Sequence, residues 1–154
     1  MKKQVVLIYS KVNEYRRTIP YSLLFLEKAI SDIEDIDVVL FDENFDINIF
    51  EYIIENKDDI LFVGFSVLFS YQVIAARELA TRIKEKSNIP ILFGGPFVTY
   101  FSKETISENF VDYIIFGQGE YALRDFVFFM LNKNNILLKE KADIFLRLLL
   151  QQIN

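Results

Sequence analysis

Three short stretches of this 154-residue chain gather the groups through which it could hold a ligand: Val63-Gly64-Phe65-Ser66-Val67-Leu68-Phe69-Ser70, Phe93-Gly94-Gly95-Pro96 and Gly117-Gln118-Gly119-Glu120. Together they contain all five glycines of the sequence. Glycine lets a backbone adopt positive φ or approach a bound group closely, and Gly94-Gly95-Pro96 is bare backbone stiffened by proline, suited to lie against a flat ring system. Ser66 carries a hydroxyl that can donate to a ligand, and it can equally satisfy a free backbone group at a helix end. Glu120 suits the first turn of a helix for electrostatic reasons alone. Its carboxylate can also accept hydrogen bonds from ligand hydroxyls, while its charge disfavours a phosphate cradle at that place.

The residue inventory removes other chemistry. There is no cysteine and no histidine, so disulfides, thiolate or imidazole metal sites, iron–sulfur clusters, Cys nucleophiles and Ser-His-Asp triads lie outside what these residues can build. The net charge is −5 and the isoelectric point about 4.8. With Lys and Arg scattered and only Arg16-Arg17 adjacent, a nucleic-acid surface is not expected. An apolar content of 52% with 16 Phe and 8 Tyr argues for a packed core rather than disorder.

Short, wholly apolar runs predict five strands: Val5–Tyr9, Val38–Phe41, Ile60–Phe65, Ile91–Phe93 and Tyr113–Phe116. None alternates apolar with polar, so both faces of their sheet should be covered. Between them, Leu23, Leu26, Ile30 and Ile33 mark one helical face within Tyr21–Ile33, and Ala76, Leu79, Ala80 and Ile83 mark another. Asp46–Glu55 and Ser102–Glu108 predict shorter helices, with Asp46 and Ser102 as N-caps, and Tyr121–Leu131 predicts the last helix of the sheet. Strand–helix alternation with right-handed crossovers implies an α/β fold. The expected form is a doubly wound, flavodoxin-like (Rossmann-like) five-stranded parallel sheet of order 2-1-3-4-5, with helices on both faces. Residues 1–132 should form this domain. Residues 133–154 read as a linker and a strongly apolar C-terminal helix over Ala142–Ile153, able to dock on the domain or to pair two copies.

In such a sheet, ligands bind beyond the carboxyl ends of the strands, near the switch in strand order. Every glycine falls at or just past the carboxyl end of the third, fourth or fifth predicted strand, whereas Asn56–Asp59 and Ser87–Pro90, connections on the opposite edge, have none. Turn-making alone does not explain that asymmetry.

The familiar ligands of such folds are poorly matched. The first strand is followed by Ser10-Lys11-Val12-Asn13-Glu14-Tyr15-Arg16-Arg17-Thr18, without the glycine fingerprint of a dinucleotide site or a dense hydroxyl loop for FMN phosphate. A phospho-acceptor receiver needs an aspartate where Gly64-Phe65-Ser66 stands. Asp42-Glu43-Asn44-Phe45-Asp46 opens like a calcium loop, but Ile47 and Ile53 replace the glycine and the bidentate acid; it reads as a solvated turn with a cap. The start, Met1-Lys2-Lys3-Gln4 and five apolar residues, lacks the apolar stretch and cleavage site of a secretory signal. The longest uncharged run, between Asp59 and Arg77, is too polar for a membrane span, so a cytoplasmic location is expected.

The combination Gly64-Phe65-Ser66-Val67, Asn88-Ile89-Pro90-Ile91-Leu92-Phe93-Gly94-Gly95-Pro96 and Val111-Asp112-Tyr113-Ile114-Ile115-Phe116-Gly117-Gln118-Gly119-Glu120 resembles the cobalamin (vitamin B12)-binding domain that precedes the catalytic barrel of cobalamin-dependent radical S-adenosylmethionine (SAM) enzymes. The likeness covers about residues 4 to 131, and Pro20-Tyr21-Ser22-Leu23-Leu24-Phe25-Leu26 resembles that family's approach to the first helix, with Tyr21-Ser22 where Leu-Gly is common. The Asp-x-His-x-x-Gly motif of mutases and methionine synthase is missing, which matches family members that hold the cofactor without a protein imidazole. The resemblance implies that Ser66, Val67 and Leu68 line a pocket for the nucleotide tail, that Gly94, Gly95 and Pro96 flank it, and that Gly117, Gly119 and Glu120 contact the nucleotide loop, with Ser10 also at the site. No protein ligand to cobalt is implied.

The resemblance further implies a radical SAM partner, in cis or in trans, because the Cys-x-x-x-Cys-x-x-Cys cluster motif of that chemistry is not in this chain. The competing expectation is a ligand-free interaction domain of the same fold. It draws on Tyr21-Ser22 and on the bulky Phe65, Phe69, Phe97 and Tyr100 near the expected pocket.

Overall fold

Five strands, β1 (Lys3–Tyr9), β2 (Ile36–Asp42), β3 (Ile60–Ser66), β4 (Ile91–Gly94) and β5 (Tyr113–Ile115), associate as one parallel sheet in the order β2-β1-β3-β4-β5. The topology is the one expected. The computed structural model describes residues 2–12, 20–69 and 71–132, and the helix expected over Ala142–Ile153 lies outside them. Between the strands run α1 (Tyr21–Ile30), α2 (Ile49–Glu55), α3 (Tyr71–Lys86), α4 (Pro96–Tyr100), α5 (Ser102–Ile106) and α6 (Gly119–Leu131).

Period-two alternation divides the strand side chains between two cores. Val5, Leu7, Phe62 and Leu92 face α1 and α6, meeting Leu23, Ile30, Leu123 and Phe126. Val6, Ile8, Val63, Phe65, Ile91 and Phe93 face the other way, against α2, α3 and α4. Fully burying such side chains contributes about 1.5–3 kcal/mol each. Edge-on packing of Phe62 against Phe126, centroids 4.9 Å apart, adds shape specificity on the first face.

The elements depart from expectation where polar residues decide the boundaries. β1 and β2 begin earlier than their apolar runs, since Lys3 pairs with Ile36 and Gln4 with Asp37 through backbone alone. Asp46 does not cap α2. Its Oδ2 accepts the Asp42 amide at 2.7 Å, closing the turn after β2, and the helix starts three residues later behind Asn48. Ser102 is the first residue of α5 rather than its cap. The short helix α4 was not anticipated; it starts with Pro96 at its first position, where a missing N–H costs nothing.

At the amino edge of the sheet, Asp112 fixes β4 against β5. Its Oδ2 accepts the Ile91 amide at 2.7 Å, its own N–H donates to the Ile91 carbonyl at 3.0 Å, and Lys84 binds both carboxylate oxygens. The carboxyl edge is built differently.

Candidate functional site

On the face covered by α1 and α6, parallel register sets Leu7, Gly64, Leu92 and Tyr113 side by side, with Tyr9, Ser66, Gly94 and Ile115 in the next row toward the carboxyl edge. The two middle strands therefore present hydrogen, hydroxymethyl and hydrogen at Gly64, Ser66 and Gly94 between larger neighbours. The missing side chains leave a slot of about 360 Å³ between α1 and α6, over the sheet and open at its carboxyl edge. That volume is within the range of small-ligand sites.

All five glycines line this one slot, together with Ser66, Leu68, Pro96 and Glu120. Its inner end is closed by Leu7, Leu23, Leu92 and Leu123, none more than 4% exposed. Ser22, Phe25, Pro96 and Gly117 sit at the exposed mouth. Among the described residues, the side chains with polar groups on the wall are Ser22, Ser66 and Glu120. None of the three makes a side-chain hydrogen bond with another described residue, and the Leu68 amide near Ser66 is met instead by Gln72.

Two turns form the rim. Gly95 has φ +104°, and a Cβ there would stand 2.5 Å from the Val67 carbonyl oxygen, so only glycine allows the β4–α4 turn to lie against the β3–α3 turn. Val67 N–H donates to the Gly94 carbonyl at 2.9 Å and Phe97 N–H to the Val67 carbonyl at 3.3 Å, locking the two turns together. Thr99 joins this pair to the next turn: its hydroxyl donates to the Gly95 carbonyl at 3.1 Å and accepts the Gly117 N–H at 2.9 Å. Behind the slot, Arg124 of α6 pairs with Asp32 and donates to the Ala29 carbonyl at the end of α1. That guanidinium holds the Asp32 carboxyl below its usual range and ties together the two helices that form the slot walls.

Two expected site residues fall elsewhere. Val67 is fully buried in the core on the opposite face, because it follows Ser66 by one residue and alternation turns it away. Ser10 is also fully buried and does not line the slot. Among the described residues its Oγ makes no well-formed hydrogen bond, yet it lies close enough to Glu43 to favour the ionised carboxylate. The bulky aromatics do not fill the slot either. The Phe65 ring packs on Phe93 in the opposite core, Phe97 on Phe101, and Phe69 pairs with Tyr100 in an exposed position.

Residues that spacing marked only as apolar faces of strands and helices, Leu7, Leu23, Leu26 and Leu92 among them, supply the slot's apolar walls, and others it did not single out supply its loop anchors. Gln72, 1% exposed at the start of α3, donates from Nε2 to the Ser10 carbonyl at 2.8 Å and accepts the Leu68 amide at 2.7 Å, tying the loop after β1 to the loop after β3. Its one sign in the sequence was a polar residue on the buried stripe of a helix. Gln72→Leu, which leaves both backbone groups unpaired, is expected to cost about 2–6 kcal/mol at roughly 1–3 for each buried group. Urea unfolding reads this, and an unchanged midpoint would contradict the latch.

Glu43, just past β2, accepts the Lys11 amide at 3.1 Å. Burial raises its pKa, against the lowering effects of the Lys11 amide, the Ser10 hydroxyl and the Lys11 charge. A folded state that favours the protonated acid gains stability from it below the ordinary carboxylate range, and that gain is lost as pH rises through the raised value. Glu43→Gln keeps an acceptor for Lys11, so the variant should melt higher than the parent at pH 7, with the gap closing as the pH is lowered toward 4. A gap that widens on acidification would reverse the assignment.

The fold and the slot together define a ligand-binding parallel α/β domain, with bare backbone at the carboxyl edge and an apolar recess between its first and last helices. A sequence model of the B12 binding domain matches residues 15–127, and the chain belongs to that family. No curated protein matches it. Among solved structures it is similar to the radical S-adenosylmethionine methyltransferase TsrM from Kitasatospora setae with cobalamin and a 4Fe-4S cluster bound: 20% identity, TM-score 0.69, covering 86% of this chain and 27% of that one. It is similar also to the same enzyme with tryptophan substrate and the SAM analog aza-SAM bound, at 19% identity and TM-score 0.69, covering 86% and 26%. This chain thus spans about a quarter of the length of those proteins. Among the described residues no helix is long and apolar enough to cross a membrane, and no group of acidic residues could hold a metal ion.

Proposed function

We propose that this chain is a cobalamin-binding module that holds the corrinoid without a protein imidazole and presents it to a radical SAM catalytic domain outside these 154 residues. The observation carrying the reading is the convergence of all five glycines on a single apolar slot at the carboxyl edge. The residues suit the group: a narrow recess floored by Gly64, Ser66 and Gly94 takes a flat tail, and the bare rim of Gly94, Gly95 and Pro96 takes the face of a broad ring. Ser66 and Glu120 offer the hydroxyl and carboxylate that a nucleotide loop would meet.

When bound, the corrinoid supplies cobalt-centred group-transfer or radical chemistry, and the protein contributes binding and orientation. Because the chain has no histidine, its residues steady the macrocycle through backbone and apolar contact, leaving cobalt without an imidazole from this domain. A catalytic partner, in cis or in trans, is supported by the much greater length of the solved enzymes that share the fold. Association of two copies through Ala142–Ile153 is a further part of the proposal, which a monomeric mass by light scattering on the full chain would remove.

Titration with hydroxocobalamin or methylcobalamin tests the central reading. Binding should shift the absorbance toward the base-off form and carry the pigment with the protein through a sizing column. An unchanged spectrum with no co-elution would overturn it.

A further inference from the structure

Resting on that reading, we infer that the slot selects the base at the end of the corrinoid tail, taking an apolar benzimidazole-type base and disfavouring a purine. The ground is the distribution of polar groups along the slot. Leu7, Leu23, Leu92 and Leu123 enclose the inner end, each at most 4% exposed, and Gly64 floors it with no side chain at all. The strand amides and carbonyls beneath are engaged in the parallel ladders of β1 with β3 and of β3 with β4. Ser66 lies one row nearer the edge, while Glu120 and Ser22 belong to the start of α6 and α1 respectively.

Benzimidazole and adenine are both fused two-ring systems of similar outline, so size does not separate them. Both carry an imidazole-ring nitrogen that the Ser66 hydroxyl could meet. Adenine adds an exocyclic amine and two further ring nitrogens on its six-membered ring, and at the inner end these would be stripped of water with no polar side chain among the described residues to bond. The methyl-bearing edge of a dimethylbenzimidazole would meet leucine side chains there instead. An apolar pocket discriminates against added polar groups only moderately, by roughly a hundredfold at most, so the expected preference is about ten- to a hundredfold.

The test is a titration of the full chain with three corrinoids: cobalamin, its analogue carrying adenine as the lower base, and cobinamide, which has neither base nor nucleotide. Cobalamin should bind about ten- to a hundredfold more tightly than the adenine analogue, with cobinamide no tighter than that analogue. Equal affinity for cobalamin and the adenine analogue would overturn base selection while leaving corrinoid binding intact. Equal affinity for cobalamin and cobinamide would overturn occupancy of the slot by the tail. No binding of any of the three would remove the underlying reading and the inference with it.

Discussion

Gly94→Leu is expected to weaken cobalamin binding at least ten- to a hundredfold while leaving the chain folded. At Gly94 the backbone is ordinary extended strand, and a Cβ would find only the Ile115 carbonyl oxygen at 3.5 Å and the Ile115 Cβ at 4.0 Å, both normal contacts. A leucine can therefore be built there, and it would project into the slot from the middle of its floor. Glycine inside a strand costs roughly 0.5–1 kcal/mol relative to alanine, so the variant should be as stable as its parent or slightly more so. Denying the slot to a buried ring forfeits about 1.5–3 kcal/mol of apolar burial, roughly ten- to a hundredfold in affinity. Steric exclusion of the tail adds to that loss. Thermal melting and cobalamin titration on the same preparation separate the two effects, and a folded variant that binds like the parent would mean the slot is not where the ligand sits.

Gly95→Ala should do the reverse, with stability lost first and binding as a consequence. The residue holds φ +104°, and its Cβ would lie 2.5 Å from the Val67 carbonyl oxygen and 3.0 Å from the Val67 amide nitrogen. Those are backbone atoms bonded to Gly94 and Phe97, so they cannot rotate aside as a side chain could. A non-glycine residue in such a conformation costs about 1–3 kcal/mol, before any displacement of the turn is counted. For a domain of this size the melting temperature should fall by at least about 2 °C, taking roughly 2–4 °C per kcal/mol. Gly117→Ala is the matched control: φ is +76°, but no described residue lies within 4 Å of the added carbon, so the conformational strain is what is felt. Equal destabilisation of the two variants would mean that the close approach of Gly95 to Val67 plays no part.

The strand order and the division into two apolar faces follow from local pattern. Continuous runs such as Val5-Val6-Leu7-Ile8-Tyr9 have no polar residue to turn toward water, so a parallel sheet covered on both sides accommodates them. The position of the glycines along the chain also pointed to the carboxyl edge, because backbone conformation at Gly95 and Gly117 is a property of the individual residue and its neighbours. Ser66, Pro96 and Glu120 stood out in the same way, within the three glycine-bearing stretches that contain Gly64, Gly95 and Gly119.

Assembly of the strands settled the rest. Gly64, Ser66 and Gly94 become one floor only when β3 and β4 pair in a particular register, and no local signal in either strand states which residues will be neighbours. Val67 and Ser66 differ by one place in sequence, yet alternation sends the Val67 side chain into the core on the α2–α3 face and leaves Ser66 lining the slot on the other. Gln72, Thr99 and Arg124 act through partners 62, 18 and 92 positions away. Side-chain chemistry is fixed residue by residue, whereas depth, closure and the pairing of distant polar groups arise only once packing brings separate segments within a few ångströms.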